Sequence, residues 1–309
     1  MRFNEKYYLE QANQEELNKV DFKPKADIYK SHSSGKKPNF DPKPQKSRND
    51  SSYQLYNKDC LEFMKEIPDE YIDLIIADPP YYQILKTSWD NQWETEKEYY
   101  DWYKKLLKEF KRIIKSNGSI YIWNWYDNIC SMGHFAKEEG FIIRNLITWN
   151  RGAGREKNNW CSAKEDLLYL TLTDKPTFNL KDVLLPLDDP NRKMKKSSWE
   201  RCKYERKGRK NFENNKVNPS NVWFDSFIHK VSNEWVDHPS QKPLSICERI
   251  VKASSNVGDI VYIPFAGSGS EIIACIKNKR NYIATEINND YITNIIIPRI
   301  QKECMEKVI

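Results

Sequence analysis

The chain has 309 residues, 39% of them hydrophobic, with 50 Lys and Arg against 44 Asp and Glu for a formal charge of +6. That is enough for one large α/β domain with insertions or two smaller domains. No apolar run approaches the roughly 20 residues that span a membrane, and the N-terminus has no apolar segment like a signal peptide. Seven cysteines (Cys60, Cys130, Cys161, Cys202, Cys247, Cys275, Cys304) lie scattered without a CxxC pair. Such a set argues against a disulfide framework or zinc site and for reduced thiols in a cytoplasmic protein.

Residues 1–50 are polar and punctuated by proline, and read as an arm or linker with one short helix near Glu5 to Lys19. Order is expected from Tyr53. Gln54 to Asn57 reads as a strand, Asp59 to Lys65 as a helix, and Asp73 to Ala77 as a strand buried on both faces. Asp78-Pro79-Pro80-Tyr81-Tyr82 stops that strand in one rigid shape, since two prolines fix two φ angles and remove two donors. Thr95 to Lys115 reads as a helix ended by Asn117-Gly118. Ser119 to Trp125 is a strand, a helix capped by Asp127 runs to about Glu139, and Phe141 to Trp149 and Glu165 to Thr173 are further strands. The basic loop Arg151 to Arg155 lies between those last two.

Lys175 to His229 breaks this rhythm. Residues 191–216 carry eleven Lys and Arg against three acids, a local +8, with Trp199, Tyr204 and Phe212 interleaved. A basic insert beside a near-neutral body is the electrostatic footprint of a polyanion site. The alternation then resumes with a helix Leu244 to Ser254, a strand Asp259 to Ile263, a helix Glu271 to Lys279, a strand Tyr282 to Glu286 and a terminal helix Asp290 to Lys307. The whole predicts a mainly parallel sheet with helices on both faces.

Pro264-Phe265-Ala266-Gly267-Ser268-Gly269-Ser270 joins a strand to a helix, and Gly267 and Gly269 permit a tight turn with close backbone approach. Glu286 ends the next strand, 17 residues past Gly269, where an acid can accept from both hydroxyls of a ribose. A phosphate-binding loop is not indicated, because no Gly-Lys-Ser/Thr follows.

Asp78-Pro79-Pro80-Tyr81 and Pro264-Phe265-Ala266-Gly267-Ser268-Gly269 resemble the catalytic and cofactor motifs of S-adenosylmethionine-dependent DNA amino-methyltransferases. The order of catalytic motif, basic insertion and cofactor motif resembles the beta group, many of whose members accompany restriction enzymes. His238-Pro239-Ser240-Gln241-Lys242-Pro243, Asn57-Lys58-Asp59-Cys60 and Asn221-Val222-Trp223 resemble further signatures of that group. The resemblance covers residues 53–305 and implies a Rossmann-like methyltransferase sheet. Its catalytic half spans 51–174, a target-recognition insertion 175–237 and its cofactor-binding half 238–309. It implies Asp59 and Cys60 near the adenine of the cofactor, Glu286 on its ribose and the turn Gly267, Ser268, Gly269 and Ser270 near the methionine moiety, with Pro264, Phe265, Ala266 and Ile287 as further cofactor-binding residues. Ser240, Gln241, Lys242 and Pro243 would close the pocket, and for Lys242 a solvated lysine at a helix start is the competing reading. The family has Asp where Ile263 stands, a residue that helps hold the methionine end. Its loss implies weaker cofactor binding, a substitute group or loss of activity.

The amino nitrogen of adenine is a poor nucleophile because its lone pair is delocalised into the ring. Two acceptors aimed at its hydrogens free that pair, and Asp78 (also a cofactor-side residue) and the Pro79 carbonyl are the candidates, with Asp78 or water beyond it taking the proton. Pro80 completes the rigid turn. Direct attack on the sulfonium carbon needs neither metal nor covalent intermediate and leaves S-adenosylhomocysteine. The base must be flipped from the duplex, with Tyr81 expected to stack on it and Tyr82 or Trp89 as further candidates. Arg192, Lys193, Lys195, Lys196, Arg201, Lys203, Arg206, Lys207, Arg209 and Lys210 are the expected contacts to double-stranded DNA. Adenine-N6 methylation is the leading expectation and cytosine-N4 methylation the alternative. An RNA or protein-amide methyltransferase and a non-catalytic DNA-binding relative stand behind them. A cognate restriction endonuclease and a second copy of the chain are the further partners considered.

Overall fold

The apolar run after Tyr71 forms strand β2, Ile72–Ala77, and its residues Leu74 to Ala77 are almost wholly buried. A run without a polar face has to be covered on both sides. The computed structural model describes residues 53–152, 160–186 and 216–305. The expected N-terminal arm and the ten basic residues from Arg192 to Lys210 lie outside the described residues.

The main elements are β1 (Tyr53–Asn57), α1 (Cys60–Met64), β2, α2 (Glu96–Ile113), β3 (Ile114–Asn124), α3 (Tyr126–Glu138), β4 (Ile142–Asn150) and β5 (Lys164–Thr171). A two-stranded pair, β6 (Leu185–Pro186) with β7 (Lys216–Val217), and the short β8 (Val222–Trp223) follow. Then come α4 (Leu244–Ser254), β9 (Ile260–Ile263), α5 (Ser270–Lys277), β10 (Asn281–Glu286), α6 (Asn289–Tyr291) and α7 (Ile297–Met305). Eight strands form one sheet in the order β1-β10-β9-β2-β3-β5-β4-β8, in which β5 alone runs antiparallel to its neighbours. This is the expected Rossmann-like sheet.

Alternate side chains of the strands enter two cores. Leu74 and Ile76 of β2 join Val261 and Ile263 of β9 against α4, α5 and the terminal helix. Ile75 and Ala77 face the other way, into a cluster with Phe63, Tyr99, Tyr103, Phe110 and Met132 from α1, α2 and α3. The sheet is thus covered on both faces, and its strand ends are the free edges at which a site can form. No helix among the described residues is long and apolar enough to cross a membrane.

Three boundaries differ from the sequence reading. Helix α2 opens as expected, with a Thr95–Glu98 capping box worth about 1 kcal/mol. It ends at Ile113, however, and β3 begins at the next residue, so Asn117-Gly118 lies inside a strand. A Cβ on Gly118 would meet the Asp73 carbonyl at 2.9 Å, so this glycine serves close strand packing and not a helix stop. Trp125, not Asp127, is the N-cap of α3. The terminal helix is interrupted by a π turn, Ile292–Ile296, just before Pro298. Proline has no N–H for the ladder, and the wider turn absorbs the mismatch. Within the expected insertion, Val222 and Trp223 pair with Thr148 and Trp149 and so belong to the edge of the main sheet.

Candidate active site

Neighbours in the sheet decide where the site lies. Strands β2 and β9 are paired in parallel, with Leu74 opposite Val261 and Ile75 opposite Tyr262, although about 190 residues separate them. Asp78 and Pro264 therefore leave the sheet side by side, at the point where the strand order reverses. From β2 the chain proceeds to β3 on one side, and from β9 to β10 on the other.

After the two prolines the backbone turns through Tyr82 and Gln83, at φ of 63° and 60°. Non-glycine residues hold such angles only when surrounding bonds enforce them. Asp90 does so: its fully buried carboxylate accepts from the N–H groups of Tyr81 (2.5 Å), Tyr82 (3.0 Å), Ile84 (2.7 Å) and Leu85 (2.6 Å). The Pro80 carbonyl accepts from the Tyr99 hydroxyl at 2.8 Å and that of Tyr81 from Asn128 at 2.9 Å. The turn is thereby fixed from three elements before any ligand arrives.

Asp78 stands in a buried charged network. Lys242 Nζ donates to its Oδ2 at 2.7 Å and the Tyr81 hydroxyl to its Oδ1 at 2.6 Å. Lys242 is also 3.2 Å from Glu165, which Arg151 holds from the other side at 2.5 Å. Burial raises the Asp78 carboxyl above its ordinary range, against the opposing pull of Lys242. Burial also works against the Lys242 charge, but Asp78 and Glu165 more than offset it and leave the ammonium more basic than usual. Asp78 is thus a basic acceptor beside a firmly cationic lysine, and each of its oxygens retains a lone pair for a further donor.

A cavity of about 360 Å³ opens between this network and the glycine turn. Its lining includes Cys60 and, within electrostatic reach of it, Asp59 and Glu286, with Phe265 and Ile287, and a second such group of Asp78, Lys242 and Glu271, with Ser240. Glu286 accepts from the N–H groups of Gly267 and Asn288, both at 2.8 Å, and burial raises its carboxyl above the usual range. Gly267 and Gly269 have φ of 47° and 76°, and a Cβ on Gly267 would meet the His238 ring at 3.0 Å. Burial, then the charges of Lys242 and Arg299, hold the His238 imidazole down at about 4, so it is neutral near pH 7. The lining carries four carboxylates (Asp59, Asp78, Glu271, Glu286) against two lysines (Lys58, Lys242). That balance suits a cationic ligand with a nucleoside end, and S-adenosylmethionine has both features.

The expected residues divide by position. Asp78, Pro80, Asp59, Cys60, Ser240, Lys242, Pro264, Phe265, Ala266, Gly267, Ser268, Glu286 and Ile287 line the cavity. Gly269 is the N-cap of α5, and Ser270 is buried beneath the turn, near Arg299. Gln241 is a structural clasp, joined to the backbone of Glu234 and Val236, and Pro243 is the N-cap of α4. Lys242 is 2% exposed, so the solvated-lysine reading is set aside. Tyr81 departs from expectation in the part it offers. Its ring lies in the core and its hydroxyl is engaged by Asp78, so no open face is left for a base. Tyr82 stacks on Tyr99 at 5.3 Å, whereas Trp89 lies on the cavity lining. Asp90, Glu165 and Glu271 were missed, since only tertiary placement separates them from surface acids.

A family model described as DNA methylase, of the N6 and N4 type, matches residues 72–297. The chain is 33% identical over 245 residues to the DNA adenine methyltransferase YhdJ of Escherichia coli (strain K12), covering 77% of this chain and 79% of that protein. The chain belongs to the DNA methylase family. Among other relatives, the type II methyltransferase M.HpaI of Haemophilus parainfluenzae is 31% identical over 244 residues, covering 77% of this chain and 71% of that one. Two solved structures share the fold. The PvuII DNA methyltransferase (cytosine-N4-specific) has a TM-score of 0.58 at 18% identity, covering 81% of this methylase and 90% of that chain. The M1.HpyAVI–SAM complex has a TM-score of 0.54 at 21% identity, covering 80% and 98%. The site of this methylase is therefore assembled on the family's sheet, from two motifs that meet at adjacent strand ends.

Proposed function

We propose that this methylase transfers a methyl group to the exocyclic N6 of adenine in duplex DNA, at a specific sequence, with the target base flipped out of the stack. The observation that carries the reading is Asp78, held by Lys242 and Tyr81 at the mouth of a cavity suited to a cationic nucleoside. S-adenosylmethionine supplies an electrophilic methyl group on a sulfonium centre. The chain supplies position and a proton acceptor.

The nucleoside end lies by Glu286 on β10 and the reactive end by Asp78 after β2, with β9 between them. Two strand spacings place these ends about 10 Å apart, the span of a nucleoside with a short tail. Glu286 takes the ribose hydroxyls, and Phe265 and Ile287 flank the purine beside Asp59 and Cys60. At the other end, the Asp78 carboxylate and the Pro79 carbonyl accept the two amino hydrogens of the base. The carbonyls of Pro80 and Tyr81 are occupied by Tyr99 and Asn128, while that of Pro79 accepts from none of the described residues. Tyr81 keeps a place in the site as the hydroxyl that orients Asp78, and Trp89 offers the aromatic face on which the base stacks. Asp78 receives the proton directly or through water, and Lys242 stabilises the carboxylate that remains in between.

The basic stretch of 191–216 is assigned to phosphate contacts and sequence readout. A cytoplasmic setting, a cognate restriction endonuclease reading the same sequence and association into a homodimer belong to the same proposal. Methylating DNA with labelled cofactor and digesting it to nucleosides tests the core of it. N6-methyladenine is expected, and N4-methylcytosine in its place overturns the choice of base. Methyl transfer to RNA but not to DNA overturns the choice of polymer.

A further inference from the structure

Six acids are buried among the described residues: Asp90, Glu165, Asp166, Asp225, Glu271 and Glu286. Five are fully provided for. Asp90 and Glu286 accept from four and two backbone N–H groups. Glu165, Asp166 and Asp225 pair with Arg151, Lys164 and Arg249. Glu271 has no such partner. Its carboxylate accepts from the Cys247 thiol at 3.6 Å, a weak donor, and from its own N–H. No Lys or Arg among the described residues comes within ion-pair distance of it. It is 5% exposed and lines the cavity, one residue into the helix that follows the glycine turn.

A buried carboxylate without a cation is costly, and a protein either neutralises it or brings a cation to it. The cavity accounts for the missing partner. With Glu286 at the nucleoside end and Asp78 at the reactive end, the third extremity of the ligand is the α-ammonium of its amino-acid tail. Ile263, which stands in place of the family's Asp, is fully buried in the sheet core and is not on the lining. It therefore offers that ammonium nothing.

We propose that Glu271 is the acceptor for the cofactor's α-ammonium, a carboxylate supplied from the first turn of α5 in compensation for Ile263. The inference rests on the cofactor reading of the cavity. The start of α5 favours a carboxylate through the helix dipole, and Glu271 lines the cavity within electrostatic reach of Asp78 and Lys242. Until the ammonium arrives, burial and then the nearby Asp78 carboxylate push the Glu271 carboxyl up to about 7. Ligand binding then draws it down, so affinity is full above that pH and falls as Glu271 takes up its proton. The groups around it are Asp78 after β2, His238 and Lys242 before α4, Cys247 on α4, Cys275 on α5 and Arg299 on α7. His238 titrates near 4, and burial raises both thiols, so none of these three changes charge between pH 5.5 and 7.5.

Calorimetry with three ligands tests the assignment. S-adenosylmethionine carries ammonium and sulfonium, S-adenosylhomocysteine the ammonium alone, and 5′-methylthioadenosine neither. Glu271→Gln should weaken the first two by about 10- to 100-fold, as expected for loss of a charge-assisted hydrogen bond. It should leave methylthioadenosine within about threefold, which also reports that the nucleoside pocket is folded. In the wild-type protein, S-adenosylhomocysteine affinity should fall by about 25-fold from pH 7.5 to 5.5 and that of methylthioadenosine should not. The same pH series on Asp78→Asn, which removes the neighbouring carboxylate that burial also raises, should keep most of that fall, and loss of the fall there would assign it to Asp78 and overturn the proposal even if Glu271→Gln does not fold. Weakening of S-adenosylmethionine alone would assign Glu271 to the sulfonium and overturn the proposal, as would equal loss of all three ligands or no loss at all. Failure of the wild-type protein to bind any of the three would overturn the cofactor reading itself, and this inference with it.

Discussion

Lys242→Met is the sharpest test of the buried charge network. The substitution keeps most of the aliphatic stem, which passes near the Trp123 and Tyr81 rings, with the ammonium 5.2 and 5.5 Å from their centroids. It removes the cation at 2.7 Å from Asp78 and 3.2 Å from Glu165. Arg151 still serves Glu165, so the orphaned charge is Asp78. Removing one partner of a buried pair costs about 3–5 kcal/mol, because the remaining charge stays desolvated. The sign follows from the direction of the shift. Burial already raises the Asp78 carboxyl, and losing Lys242 removes the largest opposing influence, so it rises further. A folded-state value above the unfolded one means that the charged form opposes folding. The variant should therefore be least stable at alkaline pH and recover stability as pH falls and Asp78 takes up a proton. Activity needs the carboxylate, so the acid limb of the kcat profile should move to higher pH by at least one pH unit. Chemical denaturation at pH 6, 7.5 and 9, with kcat measured over the same range, reads both effects. Cofactor affinity should hold or improve, since a cation leaves a cavity that receives one. A stability loss below about 1 kcal/mol with an unmoved acid limb would show that Lys242 does not govern Asp78.

Asp78→Ala should abolish methylation while leaving S-adenosylhomocysteine affinity within a fewfold of wild type; equal loss of both would mean that the roles are misassigned. Asp90→Asn replaces an acceptor of four N–H groups by an amide with one acceptor oxygen. It should cost about 2–4 kcal/mol in denaturation and lower kcat more than cofactor affinity, because the loop it holds carries the catalytic turn. Replacing Lys207, Arg209 and Lys210 by Ala should flatten the plot of log affinity for DNA against log salt by about 0.9 for each phosphate no longer neutralised, as titrations at several salt concentrations would show.

What the sequence made legible was what repeats from chain to chain: the apolar run of β2, the proline stop, the glycine turn and the acid that ends β10. Each follows from local chemistry, and each lies where expected. Boundaries set by long-range packing were not legible. Asn117-Gly118 has the composition of a helix stop, but Gly118 is small because the Asp73 carbonyl of the neighbouring strand lies against it. The supporting acids were hidden for the same reason. Asp90, Glu165 and Glu271 sit in ordinary polar surroundings along the chain, and become special only when other elements close around them.

That distinction bears on how the site is built. The two motifs are held in place in good part by residues outside them. Asp78 is fixed by a lysine 164 residues away and a tyrosine three residues on. The catalytic turn is fixed by Asp90, and the glycine turn by Glu286 and by Arg299, which bonds the Ser268 carbonyl at 2.5 Å. The two motifs are far apart in sequence, and the β2–β9 pairing brings them together. A change in that pairing would separate the two motifs without altering either. Glu271 fits the same logic: among the described residues every other buried acid has backbone donors or a cation, and the one without them lines the cavity.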